Sequence, residues 1–155
     1  SFSHVGIVEK KDDCIYVWES MGPGVRSVLL DSFRIRSKHN LVLGRLKKRH
    51  EKLIPAALQF IHNSNGLSYD EEFLYNNGKY YCSELIYDAF KDANRNKPFF
   101  KLYPMTFKKP GSREYFPIWI NYYHELDVQI PEGAPGCNPG GLSRSRQLKI
   151  FLLNK

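Results

Sequence analysis

The chain has 155 residues, 42% of them apolar and 14% aromatic, with a formal charge of +7 and a pI near 9.3. That length supports one sizeable core and is short for two, so a single domain spanning 1–155 is expected, and no apolar run is long enough to cross a bilayer as a helix. The positive balance suits a polyanion such as nucleic acid, anionic lipid or wall polymer, but equally an exported protein that binds none, so charge alone selects no function.

In chain order, Ser3 to Glu9 and Cys14 to Glu19 read as two strands joined by Lys10-Lys11-Asp12-Asp13, because β-branched and aromatic residues flank a short polar turn. Met21-Gly22-Pro23-Gly24 breaks the pattern, and Val25 to Leu30 and Leu41 to Leu46 read as two further strands of a mainly antiparallel sheet. Arg45 to Lys52 is the densest basic run. It reads as the solvated start of a helix over Glu51 to Asn63, since no aromatic stacking motif interleaves with the charge, and no nucleic-acid partner is expected. Cys82 to Ala93 reads as a second helix and Pro117 to Leu126 as a third, with proline in its first turn. Ile130 to Gly141 is too rich in proline and glycine to be regular, yet patterned sequence follows it, so it reads as an ordered loop or lid. Leu148 to Leu153 reads as a returning strand.

The three cysteines, Cys14, Cys82 and Cys137, form no CxxC pair, so a zinc knuckle or dithiol redox site has no support. A crosslink between Cys14 and Cys137 would leave Cys82 free. His39, His50, His62 and His124 fall at no ligand spacing and no HExxH occurs, so neither a metal nor a cofactor is expected. Tyr115, Phe116, Trp119, Tyr122 and Tyr123 crowd one stretch, and read as core cover ahead of a substrate groove.

Chemistry concentrates at Cys82. A thiol attacks as thiolate, and a helix N-terminus lowers its pKa because unpaired N–H groups favour negative charge there. Leu85, Ile86, Ala89, Phe90 and Ala93 form one stripe that turns Cys82 toward the core or sheet, while Glu84, Asp88, Lys91 and Asp92 are expected to face mostly elsewhere. A register setting Lys10 opposite Asp13 places His4 across from Glu19 on one face. Glu19 then orients the imidazole, and its other nitrogen is left for the Cys82 proton. The plain alternatives are a space-filling buried cysteine, a strand-end histidine and a solvent-facing carboxylate.

Phe2-Ser3-His4-Val5-Gly6-Ile7-Val8, Tyr16-Val17-Trp18-Glu19-Ser20 with Gly24-Val25, Tyr69-Asp70-Glu71-Glu72-Phe73, Tyr81-Cys82-Ser83-Glu84-Leu85 and Gly136-Cys137-Asn138-Pro139-Gly140 together resemble the YiiX-like branch of the NlpC-type papain-like cysteine hydrolases. The resemblance spans nearly the whole chain. It implies an α+β, circularly permuted papain-like (NlpC-type) fold, a mainly antiparallel sheet packed against helices, in which the histidine precedes the cysteine. It also implies Cys82 as nucleophile, His4 as base, Glu19 as its orienting partner, Tyr69 beside the oxyanion, and Tyr81, Ser83 and Asn138 around the substrate. Acyltransferases related to lecithin retinol acyltransferase share the permuted order but carry Asn-Cys-Glu-His where this chain has Tyr-Cys-Ser-Glu, which favours hydrolysis. The implied substrate is a small peptide, amide or acyl compound, with a wall-type peptide amide preferred. The alternatives are a lipid acyl hydrolase or acyltransferase of the same fold and a non-catalytic module binding a wall fragment or lipid head group. The expected location is the periplasm or cell envelope, with the signal segment outside this chain and the cytoplasm as the alternative.

Overall fold

The structure, a computed structural model, describes residues 2–37, 39 and 41–153. Strands β1 (Ile7–Lys11), β2 (Cys14–Met21) and β3 (Gly24–Leu29) form an antiparallel meander. The first hairpin closes more tightly than expected: Lys11 pairs with Cys14 and Ile7 with Trp18. Only Asp12 and Asp13 remain in the turn, with Asp12 in the left-handed region at φ 53° that aspartate tolerates. The register is therefore displaced by two residues from the one that opposes Lys10 and Asp13, and β1 starts at Ile7, after the His4 segment. Because side chains alternate with period 2, an even displacement keeps every residue on its expected face.

After β3 comes a helix the sequence reading did not foresee, α1 (Leu30–Ile35), whose six residues are too few to show a helical period. The expected single sheet is also divided. Strand β4 (Leu41–Leu46) pairs with β7 (Leu148–Leu153), and β5 (Tyr103–Pro104) with β6 (Pro135–Gly136), each as a separate antiparallel pair.

The basic run forms a 3-10 helix over Lys48–Leu53, and α2 (Ile54–Asn63) begins three residues later than expected, with Pro55 in its first turn where no N–H is required. Helix α3 (Cys82–Ala93) has the expected bounds, and α4 (Pro117–Glu125) stops one residue short of them. The proline- and glycine-rich stretch is ordered, carrying β6 and a short helix α5 (Pro139–Ser143) capped by Asn138, whose Oδ1 accepts the Gly141 N–H at 2.7 Å. Cys14, Cys82 and Cys137 are all free thiols.

The core is built on α3, which packs against α2 and β2. Leu85, Ile86, Ala89 and Phe90 are buried with Ala57 and Ile61 of α2 and with Phe99 and Phe100, whose rings stack on or meet Phe90 edge to face. A second aromatic group joins Phe73, Phe107, Trp119, Tyr122 and Tyr123. Through it α4 buttresses the loop after Tyr69: the Tyr122 and Tyr123 hydroxyls donate to the carbonyls of Glu71 and Glu72. Tyr123 is core, as expected, whereas Phe116 stays exposed.

Gly6 explains how the His4 segment lies so close to β2. A Cβ there would collide with Val17 Cγ1 and come within 2.7 Å of the Trp18 carbonyl oxygen, which is backbone and cannot yield cheaply. Gly6→Ala is therefore expected to cost about 1–3 kcal/mol as overpacking. For a chain of this size that is a fall in Tm of roughly 2–12 °C, measurable by calorimetry.

Candidate active site

Glu19, in β2, has no exposed surface, and its carboxylate is filled from three directions. His4 Nε2 lies 2.7 Å from Oε2, Arg36 Nη2 donates to both oxygens at 2.8 Å, and Arg26 Nε donates to Oε1 at 3.3 Å. Burial alone would favour the neutral acid, but the bonds from Arg36 and His4 outweigh it and hold the carboxyl below the usual carboxylate range. An ionised carboxylate only accepts hydrogen bonds, so Nε2 of His4 carries a hydrogen and Nδ1 is the nitrogen left to take a proton. The ring also stacks on Phe33 of α1, with centroids 5.7 Å apart.

The pair forms by a different route from the one expected. Continued past the Ile7–Trp18 pair, the register sets Gly6 across from Glu19, so His4 reaches it diagonally, two residues further along the same face.

Cys82 opens α3 and is 7% exposed. The backbone N–H groups of Val5, of Ser83 and of Cys82 itself lie near enough to its sulfur to favour the thiolate. Val5 follows His4, so the thiol lies against the stretch of backbone that carries the imidazole. Ser20 draws the same parts together from the other side: fully buried next to Glu19, it donates to the carbonyl of Tyr80, two residues before Cys82. The half-buried Tyr69 lies close enough to Cys82 for the sulfur to influence it, and burial first, then that sulfur, raise its phenol above the ordinary range.

A family model described as the permuted papain-like amidase enzyme, YaeF/YiiX, C92 family, matches residues 1–152. The chain belongs to that family. The fold is shared with the crystal structure of the metalloprotein yiiX from Escherichia coli O157:H7, at a TM-score of 0.77 and 18% identity, over 99% of this chain and 83% of that one. No curated protein matches the chain. Among the described residues no three His, Cys, Asp or Glu side chains gather in a way that could hold a metal ion, so the donor set does not fit one and no step below passes through a metal.

Within this permuted papain-like frame several expectations need correction. Tyr81 and Ser83 were expected at the substrate, but they are 2% and 1% exposed. The Tyr81 hydroxyl accepts the Cys137 N–H at 3.2 Å and Ser83 Oγ donates to the Cys137 carbonyl at 3.0 Å, so both tie α3 to the loop before α5. Asn138 is exposed, with its side-chain oxygen engaged in the α5 cap. Glu84, expected to face away from the core, is wholly buried. The Cys82 thiol is not lowered by its helix terminus. Burial pushes it up, and the surrounding N–H groups only moderate the rise.

The sequence reading missed Arg26, Arg36 and Ser20. Arg26 had a signal, since a two-residue turn at Gly22-Pro23 sets it directly across from Glu19, as observed. Arg36 had none, because α1 was not recognised.

A cavity of about 730 Å³ adjoins His4 between β1 and β4, lined mainly by apolar side chains including Val5, Ile7, Leu43, Ile86, Phe90 and Leu148.

A resting thiol shifted upward predicts slow alkylation of Cys82 by iodoacetamide at pH 7, accelerating as pH passes the ordinary thiol range. Peptide mapping in a Cys14→Ser background reads this directly, and a rate that has already levelled off below pH 7 would contradict it.

Proposed function

We propose that this protein is a cysteine hydrolase that cleaves amide bonds through an acyl-enzyme on Cys82, with His4 as base and then acid and Glu19 as the residue that orients His4. The observation that carries this reading is the 2.7 Å bond from His4 Nε2 to a buried Glu19, on a segment whose next residue, Val5, lies beside Cys82. With the thiol neutral at rest, proton removal accompanies attack. The sulfur bonds to the amide carbon, its proton passes to His4 Nδ1, and the carbonyl oxygen takes the negative charge. The Cys82 backbone N–H and the Tyr69 hydroxyl are the donors we assign to that oxyanion, each of a kind worth about 3 kcal/mol of barrier. Collapse breaks the C–N bond as the imidazolium protonates the departing amine. Water, deprotonated by His4, then cleaves the thioester and restores the thiol.

As substrate we propose a peptide amide of the bacterial wall type, the class cut by the NlpC-type enzymes the sequence resembles. The +7 charge suits an anionic envelope polymer, and the site of action would be the periplasm or cell envelope. The test is labelling of Cys82 by an amide-like electrophile together with turnover of peptide amides. His4→Ala should lower both by roughly 10²–10⁴-fold, the range for loss of a general base. Equal labelling in wild type and His4→Ala would overturn the role of His4. A thiol inert to the electrophile from pH 6 to 9 would favour a non-catalytic binding module.

The apolar cavity beside His4 favours a second reading, hydrolysis of a long-chain acyl compound. Burying each added methylene contributes about 0.8 kcal/mol, so kcat/KM should rise by up to about fourfold per CH2 along a series of acyl esters or amides. A flat series would remove this reading and leave the peptide amide.

A further inference from the structure

The Cys-Ser-Glu-Leu motif contains a carboxyl group for which the reaction above has no use. Glu84, in the first turn of α3, has no exposed surface. Its Oε1 accepts the Asn76 N–H at 2.8 Å, while Oε2 is buried without any hydrogen-bond partner. Among the described residues no ion pair reaches it. Lys91, two turns further along α3, donates instead to Tyr75, whose hydroxyl donates to Asp88.

The titratable groups around Glu84 are acidic or neutral on every side. Asp88 and Tyr81 come from α3 and its cap, Asp70 and Tyr80 from the two ends of the preceding loop, and Cys137 from the loop before α5. A buried carboxylate with no cation and two acidic neighbours is a costly arrangement, and protonation removes the cost. A neutral carboxyl still accepts the Asn76 N–H through its carbonyl oxygen. It also spares Cys82, two residues away, a negative neighbour that would oppose thiolate formation.

The Asn76 bond has a partner at the other end of the loop. Asp70, also fully buried, accepts the N–H groups of Glu72 at 3.0 Å and Leu74 at 2.7 Å. Tyr69 to Gly78 is thus held at its entrance by Asp70 and at its exit by Glu84, with Asn76 in the left-handed region at φ 65°. Tyr69, which approaches the Cys82 sulfur, sits at the start of this loop.

We propose that Glu84 is a positioning residue whose buried, protonated carboxyl pins the Tyr69–Gly78 loop to α3, and whose ionisation at alkaline pH releases that loop from the Cys82 site. Its link to catalysis rests on the role assigned to Tyr69 above; the pinning itself does not. Burial, with Asp88 and Asp70 adding to it, raises the carboxyl to about 8, so release belongs on the alkaline side of neutrality. The stability consequence has a definite sign. The folded chain keeps a proton that the unfolded chain loses near pH 4.3, so this group's contribution falls as pH rises from about there to about 8, and is level above.

Glu84→Gln keeps the shape and the Asn76 bond but cannot ionise, which makes it the decisive variant. Wild-type protein at pH 7 should show the infrared carbonyl stretch of a protonated carboxyl that Glu84→Gln lacks. Hydrogen-exchange protection of residues 70–78 should fall by up to about tenfold per pH unit in wild type as pH rises toward about 8, level off above it, and stay level throughout in Glu84→Gln. The Tm of Glu84→Gln should gain on wild type between pH 5 and 8. Absence of that carboxyl band, or equal loss of protection in both proteins, would overturn the proposal. None of these readouts needs turnover, so they stand or fall apart from the hydrolase assignment.

Discussion

A carboxylate wholly removed from solvent is tolerable only while its donors are in place, and Glu19 has donors from three separate stretches of chain: His4 ahead of β1, Arg26 on β3 and Arg36 just past α1. Withdrawing any one would leave part of a buried charge uncompensated. The same requirement that keeps Glu19 ionised therefore fixes the tautomer of His4 and holds α1 over the imidazole, although α1 buries no residue of its own. Its neighbour Ser20 performs the matching task on the other partner by binding the Tyr80 carbonyl just before α3. Two successive residues of β2 thus set the positions of both the imidazole and the thiol.

The electrostatics on the two sides of the site are opposed. Around Glu19 the positive charge of two arginines secures a carboxylate. Around Cys82 the chain supplies N–H groups but little access to water, and burial wins, leaving a neutral thiol. The surroundings of Glu84 follow the second pattern more strongly, with a carboxyl that burial, and then Asp88 and Asp70, raise to about 8. A site whose thiol is hard to ionise gains from having no fixed negative charge in the first turn of its helix. The protein still uses that position to anchor a loop, by means of a neutral acid.

How the sequence reading fared follows from the kind of signal each element carries. Helix α3 was legible to the residue because a long apolar stripe begins where the extended Tyr80-Tyr81 pair ends, and β4, β7 and α4 were legible from short apolar runs or a first-turn proline. The His4–Glu19 pairing survived an error of two residues in register, since parity decides the face. The division of the described strands into separate sheets was not legible, because β4 and β7 are about a hundred residues apart and nothing local marks them as partners. Nor was the burial of Glu84: helical periodicity treats a carboxylate off the apolar stripe as solvent-facing, yet α3 is covered on nearly every side through its first two turns.

By itself the sequence determined the family-level arrangement: a histidine-bearing hairpin ahead of a helix that starts at a cysteine, with a carboxylate on the face that the histidine shares. These are consequences of local periodicity and chain order, which any fold of this chain must respect. The tertiary structure alone decided the ionisation of those groups and the duties of their neighbours. Arg36 reaches Glu19 across 17 positions, and Tyr81 and Ser83 are committed to Cys137 across 56 and 54. Solvation and charge depend on what the rest of the chain brings to a residue, and that is settled only when distant segments have packed.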